Sequence, residues 1–146
     1  MPRPPVLPTI DWPTVWTFAT GYEDWLDRAE SAEKVARINE NLAAQTLEPP
    51  VQAYVQNLPR LVRVLAFAED WCGDVVRHVP VLQALADASD WLQVRYVARA
   101  QQPDAFARFP TNGGEAIPKF VFLNDGFVEC GHWGPMPDRC RKLVAR

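Results

Sequence analysis

The chain has 146 residues, 48% of them hydrophobic and 23% charged, and a net charge of −3. A compact chain of this length buries about 68–70% of its unfolded surface, enough for a core without disulfide or metal staples. The charge balance gives no footing to nucleic acid, and no apolar run reaches the ~18–20 residues of a membrane span. The Met1-Pro2-Arg3-Pro4-Pro5 start lacks a signal peptide's apolar stretch, and three irregularly spaced cysteines do not form a secreted disulfide framework, so the expectation is a cytoplasmic protein with free thiols.

Prolines at 2, 4, 5, 8 and 13 predict an extended or surface-draped start. Helical sequence follows. Tyr22 to Ala29 is rich in helix formers, and from Ser31 onward Val35, Ile38 and Leu42 share one face while Glu30/Lys34 and Glu33/Arg37 form i,i+4 pairs. Pro49-Pro50 suit a first helical turn, Val51, Tyr54, Val55 and Leu58 continue at helical spacing, and Pro59 ends the pattern. Residues 1–59 therefore read as a Pro-rich start and a helical extension packed on a domain that spans 60–146.

Leu61 to Ala68 is an almost unbroken apolar run, the pattern of a strand covered on both faces. Asp74 to Ala88 places Val75, Val76, Val79, Leu82, Leu85 and Ala86 at helical spacing, and Leu92 to Ala98 reads as a second strand, giving a βαβ unit with a right-handed crossover. Asp104 to Phe109 predicts a short helix, Thr111-Asn112-Gly113-Gly114 a break, and Lys119 to Leu123 a strand opened by Pro118. Asn124-Asp125-Gly126 predicts a hairpin turn into a strand over Phe127 to Cys130, and Pro137 to Ala145 a closing helix with Leu143 and Val144 on its buried face. Trp12, Trp16, Trp25 and Trp91 are expected to be buried, the N-terminal ones pinning the extension onto the sheet or onto a second copy in a homodimer.

The chemistry concentrates at Trp71-Cys72-Gly73-Asp74, between the first apolar strand and the helix after it. Unsatisfied N–H groups and the dipole at a helix N-terminus favour a thiolate, while the Asp74 carboxylate works against it. Three residues past Cys72 stands Val75, so no Cys-x-x-Cys disulfide can close, and any disulfide on Cys72 requires another thiol. Cys130, His132, Cys140 and His78 show no recognised metal-ligand spacing, and Gly113-Gly114 lacks the residues of a phosphate loop or dinucleotide fingerprint, so no cofactor or metal is expected. His78, one turn into the helix, reads as a solvated or capping residue.

The order helical preface, βαβ, ββα, with Trp-Cys at the first strand-to-helix junction, resembles the thioredoxin superfamily. Glu69-Asp70-Trp71-Cys72-Gly73-Asp74 is similar to its active-site turn; Pro80, eight residues after Cys72, to the proline that kinks its active-site helix; Ile117-Pro118 to its cis Ile-Pro; and Gly126 to the glycine of its closing hairpin. The segment Asn112 to Phe120, followed by Gly131-His132-Trp133-Gly134-Pro135, resembles bacterial thioredoxin-like proteins with a helical N-terminal extension. The resemblance implies an α/β thioredoxin fold, three layers around a central mixed sheet, with Cys72 as the reacting residue and Trp71, Gly73, Asp74, Ile117 and Pro118 forming the substrate edge. It also implies that Cys130 and Cys140 are small buried residues away from that edge. Two positions depart from the dithiol pattern: Val75 replaces the second cysteine, and Ala66 stands where many thioredoxins bury a proton-shuttling aspartate.

Three functions fit these residues. The first is a monothiol protein forming mixed disulfides through Cys72, completed by a glutathione-like low-molecular-weight thiol or a partner-protein cysteine. The second is a non-catalytic binding module that holds a protein in the Cys72/Pro118 groove. The third, an iron-sulfur carrier resembling monothiol glutaredoxins, lacks their motif in Cys72-Gly73-Asp74-Val75.

Overall fold

The computed structural model describes residues 9–111 and 116–139. Four helices come first: α1 (Trp12–Phe18), α2 (Tyr22–Asp27), α3 (Ala32–Ala43) and α4 (Pro49–Gln56). They lead into β1 (Val62–Phe67), α5 (Gly73–Asp87), β2 (Leu92–Val97), a 3-10 turn over Arg99–Gln101, α6 (Pro103–Phe106), β3 (Lys119–Leu123) and β4 (Glu129–Trp133). The sheet order is β2-β1-β3-β4, with β1 parallel to β2 and antiparallel to β3, and β3 antiparallel to β4. This mixed sheet with helices on its faces is an α/β thioredoxin fold. Among the described residues no helix is long and apolar enough to cross a membrane.

Strand β1 lies inside the sheet, and Val64 to Phe67 are fully buried. Side chains alternate between the faces of a strand, so the two surfaces need separate covers. Ala66 pairs in register with Tyr96 and Phe120, and the Tyr96 hydroxyl donates to Gln83 Oε1 of α5 at 2.7 Å, which sets α5 on that face. On the other face Phe67 meets Phe106 of α6 at 5.1 Å between ring centroids, and Trp16 of α1 lies 4.9 Å from the Arg95 guanidinium. The extension thus supplies cover that the four-residue α6 is too short to give.

Helix α1 starts inside the stretch expected to be extended. Asp11 caps it, its Oδ1 accepting the Thr14 N–H at 3.2 Å, and Pro13 occupies the first turn, where its missing N–H costs no hydrogen bond. Burial of Trp12, Val15 and Trp16 then holds it. Thr20 makes a two-bond bridge to the free edge of β2: its N–H donates to Tyr96 O at 2.9 Å and its carbonyl accepts from Tyr96 N–H at 2.7 Å. Trp25 stacks on Tyr96 with centroids 4.9 Å apart and donates its Nε1–H to the Ala68 carbonyl at 3.2 Å.

Several expectations need correction. Trp12, Trp16 and Trp25 are buried, but Trp91 is exposed, standing in the turn before β2. Strand β4 begins at Glu129 and runs to Trp133, instead of spanning Phe127 to Cys130. The cause is the Asn124 side chain, whose Oδ1 accepts the N–H groups of both Gly126 and Val128 at 2.9 Å, while Phe127 takes φ 62°, so the turn consumes two more residues. Cys130 is exposed on this edge strand, at the irregular step where Phe122 pairs with Gly131 and Leu123 with Glu129, so that it has no residue opposite it. The helix expected to end at Ala145, with Cys140, lies for the most part outside the described residues, as does the Asn112 to Glu115 part of the glycine loop.

Pro80 stands inside α5 and cannot donate to the Val76 carbonyl four residues back. That carbonyl instead accepts Asn41 Nδ2–H from α3 at 3.1 Å, so one side chain repairs the helix and ties α3 to α5. Asn41→Ala should cost about 1–2 kcal/mol in urea unfolding, because a half-buried carbonyl is left unpaired. In a Pro80→Ala background the new N–H reclaims that carbonyl, and the same substitution should cost clearly less; additive costs in this double-mutant cycle would disprove the repair.

Candidate functional site

Cys72 is the N-cap of α5, with extended backbone (φ −84°, ψ 128°) and no side-chain capping bond. Its carbonyl accepts the Val76 N–H at 3.1 Å, starting the helix, and its own N–H donates to Glu69 O at 3.3 Å. The thiol is half-buried and donates to the Ile117 carbonyl, Sγ to O 3.6 Å. The fold therefore brings together Cys72 and the Ile117-Pro118 segment, which are 45 residues apart in the chain. Gly73 and Asp74 form the first helical turn beside them, and Val75 is fully buried beneath.

Trp71 turns away from this contact. Its indole is 52% exposed and carries the Arg99 guanidinium 5.6 Å above its ring; Arg99 Nε lies 3.3 Å from Glu69 Oε2. Asp70 is buried, and its Oδ2 accepts the backbone N–H of Ser31 at 3.0 Å. Ser31 is in turn the cap of α3, its Oγ accepting the Lys34 N–H at 3.2 Å. The loop that presents the thiol is thus anchored to the start of an extension helix. In the sequence Asp70 was visible only as part of the turn motif, and nothing marked Ser31 as its partner.

The Ile117–Pro118 and Gly134–Pro135 peptide bonds are both cis. Gly134, at φ 124°, passes so close to Pro118 that an added Cβ would fall onto the Pro118 carbonyl. Lys119, buried in strand β3, donates Nζ–H bonds to Thr111 Oγ1 at 2.7 Å and to the Gly134 carbonyl at 2.8 Å. These contacts clamp the segment facing the thiol. A lysine opening an apolar strand was the available signal for this clamp, but its partners come from two distant loops. Among the described residues no three His, Cys, Asp or Glu side chains gather as metal ligands.

His78 is not a solvated residue. Its ring packs edge-on against Trp133 with centroids 5.1 Å apart, and burial lowers its pKa below the ordinary 6.5, opposed by the charge of Asp74 and reinforced by Arg77.

A family model described as Thioredoxin matches residues 21–146, so the chain belongs to the thioredoxin family. Among solved structures, a protein of unknown function from Pseudomonas aeruginosa superposes with a TM-score of 0.78 at 16% identity, covering 94% of this chain and 87% of its own. An HIV epitope-scaffold gives a TM-score of 0.77 at 16% identity, covering 89% and 80%. At this identity both matches speak to the fold alone. No curated protein matches the chain.

Two expected outcomes follow from this geometry. Gly134→Ala forces a side chain into the Pro118 backbone at a left-handed φ, and should lower unfolding stability by about 1–3 kcal/mol, measured by urea titration; an unchanged midpoint would refute the close approach. For His78, the unfolded chain binds a proton at higher pH than the folded protein, so stability falls as pH drops through about 6.5 and is insensitive to this group well above it. His78→Gln should flatten that part of the curve between about pH 7.5 and 5.5.

Proposed function

We propose that the protein is a thioredoxin-fold monothiol exchanger that forms mixed disulfides through Cys72, acting in the cytoplasm with an external thiol. The observation that carries this reading is the placement of Cys72: half-buried at the uncapped N-terminus of α5 and against the Ile117 carbonyl, with an apolar Val75 where a resolving cysteine would stand. First-turn N–H groups that no side chain occupies are available to a thiolate. In the exchange, the Cys72 thiolate attacks one sulfur of a disulfide. A Cys72 mixed disulfide forms, the original S–S bond breaks, and the departing thiolate takes a proton from water. A second thiol must then release the adduct by the same reaction.

Ile117 and Pro118 form the edge along which an extended partner peptide would pair, with Gly73 and Asp74 bounding it on the helix side. The exposed indole of Trp71 lies to the side of this edge, against Arg99.

The binding-module reading draws on Ala66, fully buried where the family resemblance places a proton-transferring acid. Peptide mapping after challenge with a small disulfide separates the two. Exchange predicts an adduct on Cys72 that Cys72→Ser eliminates without loss of fold. A Cys72 that stays unmodified while the exposed Cys130 reacts would leave a fold kept for binding.

A further inference from the structure

A pocket of about 230 Å³ opens between the active-site loop and the helical extension. Phe18 and Trp71 form part of its wall and are 65% and 52% exposed, two large aromatic surfaces left uncovered. Most of its polar groups are committed. Trp25 Nε1–H goes to the Ala68 carbonyl, Asp70 Oδ2 takes the Ser31 N–H, Gln101 Oε1 takes the Ala98 N–H, and Glu69 pairs with Arg99. Two lining charges remain. Among the described residues neither the Arg28 guanidinium nor the Glu30 carboxylate has a hydrogen-bond or ion-pair partner.

We infer that this pocket binds the zwitterionic end, an α-carboxylate with an α-ammonium, of a low-molecular-weight thiol or disulfide whose sulfur reacts at Cys72. The inference rests on the exchange reading of Cys72 and names its thiol partner. A cation and an anion that line one pocket, both open to solvent, complement a zwitterion; they discriminate against a phosphate, which would want a second cation, and against a simple amine. Trp71 forms the wall and is bonded to Cys72, so a ligand must reach past the indole, with its charged end separated from its sulfur by a short linker, as in a γ-linked tripeptide. The aromatic surfaces then cover that linker.

The reaction uses glutathione disulfide as oxidant. Cys72 thiolate bonds to one of its sulfurs, and the other half leaves as a thiolate that is protonated by water.

The test compares rates of Cys72 adduct formation, read by mass spectrometry on the full chain, with glutathione disulfide and with the neutral 2-hydroxyethyl disulfide. Arg28→Gln and Glu30→Gln should each lower the ratio of the two rates by about two- to fivefold, while Glu23→Gln, an exposed acid outside the pocket, should not move it. The Glu30 result is diagnostic. Glutathione disulfide is a net anion, so general electrostatic steering would make Glu30→Gln faster, whereas loss of a seat for the ammonium makes it slower. A ratio that is unchanged, or that rises with Glu30→Gln, overturns the pocket while leaving exchange at Cys72 intact. A Cys72 inert to both disulfides overturns the exchange reading and this inference with it.

Discussion

Burial of β1 on both faces is the constraint from which the rest of the architecture follows. Val64 to Phe67 are inaccessible to solvent, and alternation sends Val64 and Ala66 one way, Leu65 and Phe67 the other. Helix α5 covers the first set. The second has only a four-residue α6 from the domain itself, and the aromatic side chains of α1 complete the layer. Most helical stability in proteins comes from packing an apolar face, and the short α1 and α2 are cases in point: their tryptophans and tyrosine find partners on the sheet.

The same packing positions the thiol. Cys72 stands where the parallel crossover leaves the end of β1, and three separate ties fix its loop: Trp25 to the Ala68 carbonyl, Asp70 to Ser31, and Glu69 to Arg99. The Glu69–Arg99 pair is itself half-buried. The two backbone ties are sheltered, and both run to the extension, so the helical preface and the reactive loop behave as one construction.

Much of the fold was legible because its signals are local or periodic. The double-sided strand, the apolar face of α5 and the Pro118 strand follow from runs and spacings in the sequence. What the sequence concealed depends on distant groups meeting. Proline content argued against helix near residue 13, yet Asp11 and three buried side chains made α1. Asn124 captures Val128 and delays β4, a side-chain event that a turn motif does not announce. The Cys72 to Ile117 juxtaposition came from family resemblance more than from any spacing. The clamp of Lys119 on Gly134, and the rescue of the Val76 carbonyl by Asn41, were beyond reach because each pairs residues from separate elements.

The bridge from Thr20 to Tyr96 has a consequence for the fate of the chain in a cell. It places one residue of irregular backbone along the outer side of β2 and occupies a donor and an acceptor there. Bare sheet edges are templates for strand addition by other molecules. A protease cutting between the preface and β1 would therefore do more than remove helices: it would uncap β2, leaving a fragment with a sticky edge and one uncovered apolar face, prone to aggregate. In this light the preface also acts as a guard over that side of the sheet, taking up a donor and an acceptor that an incoming strand would need.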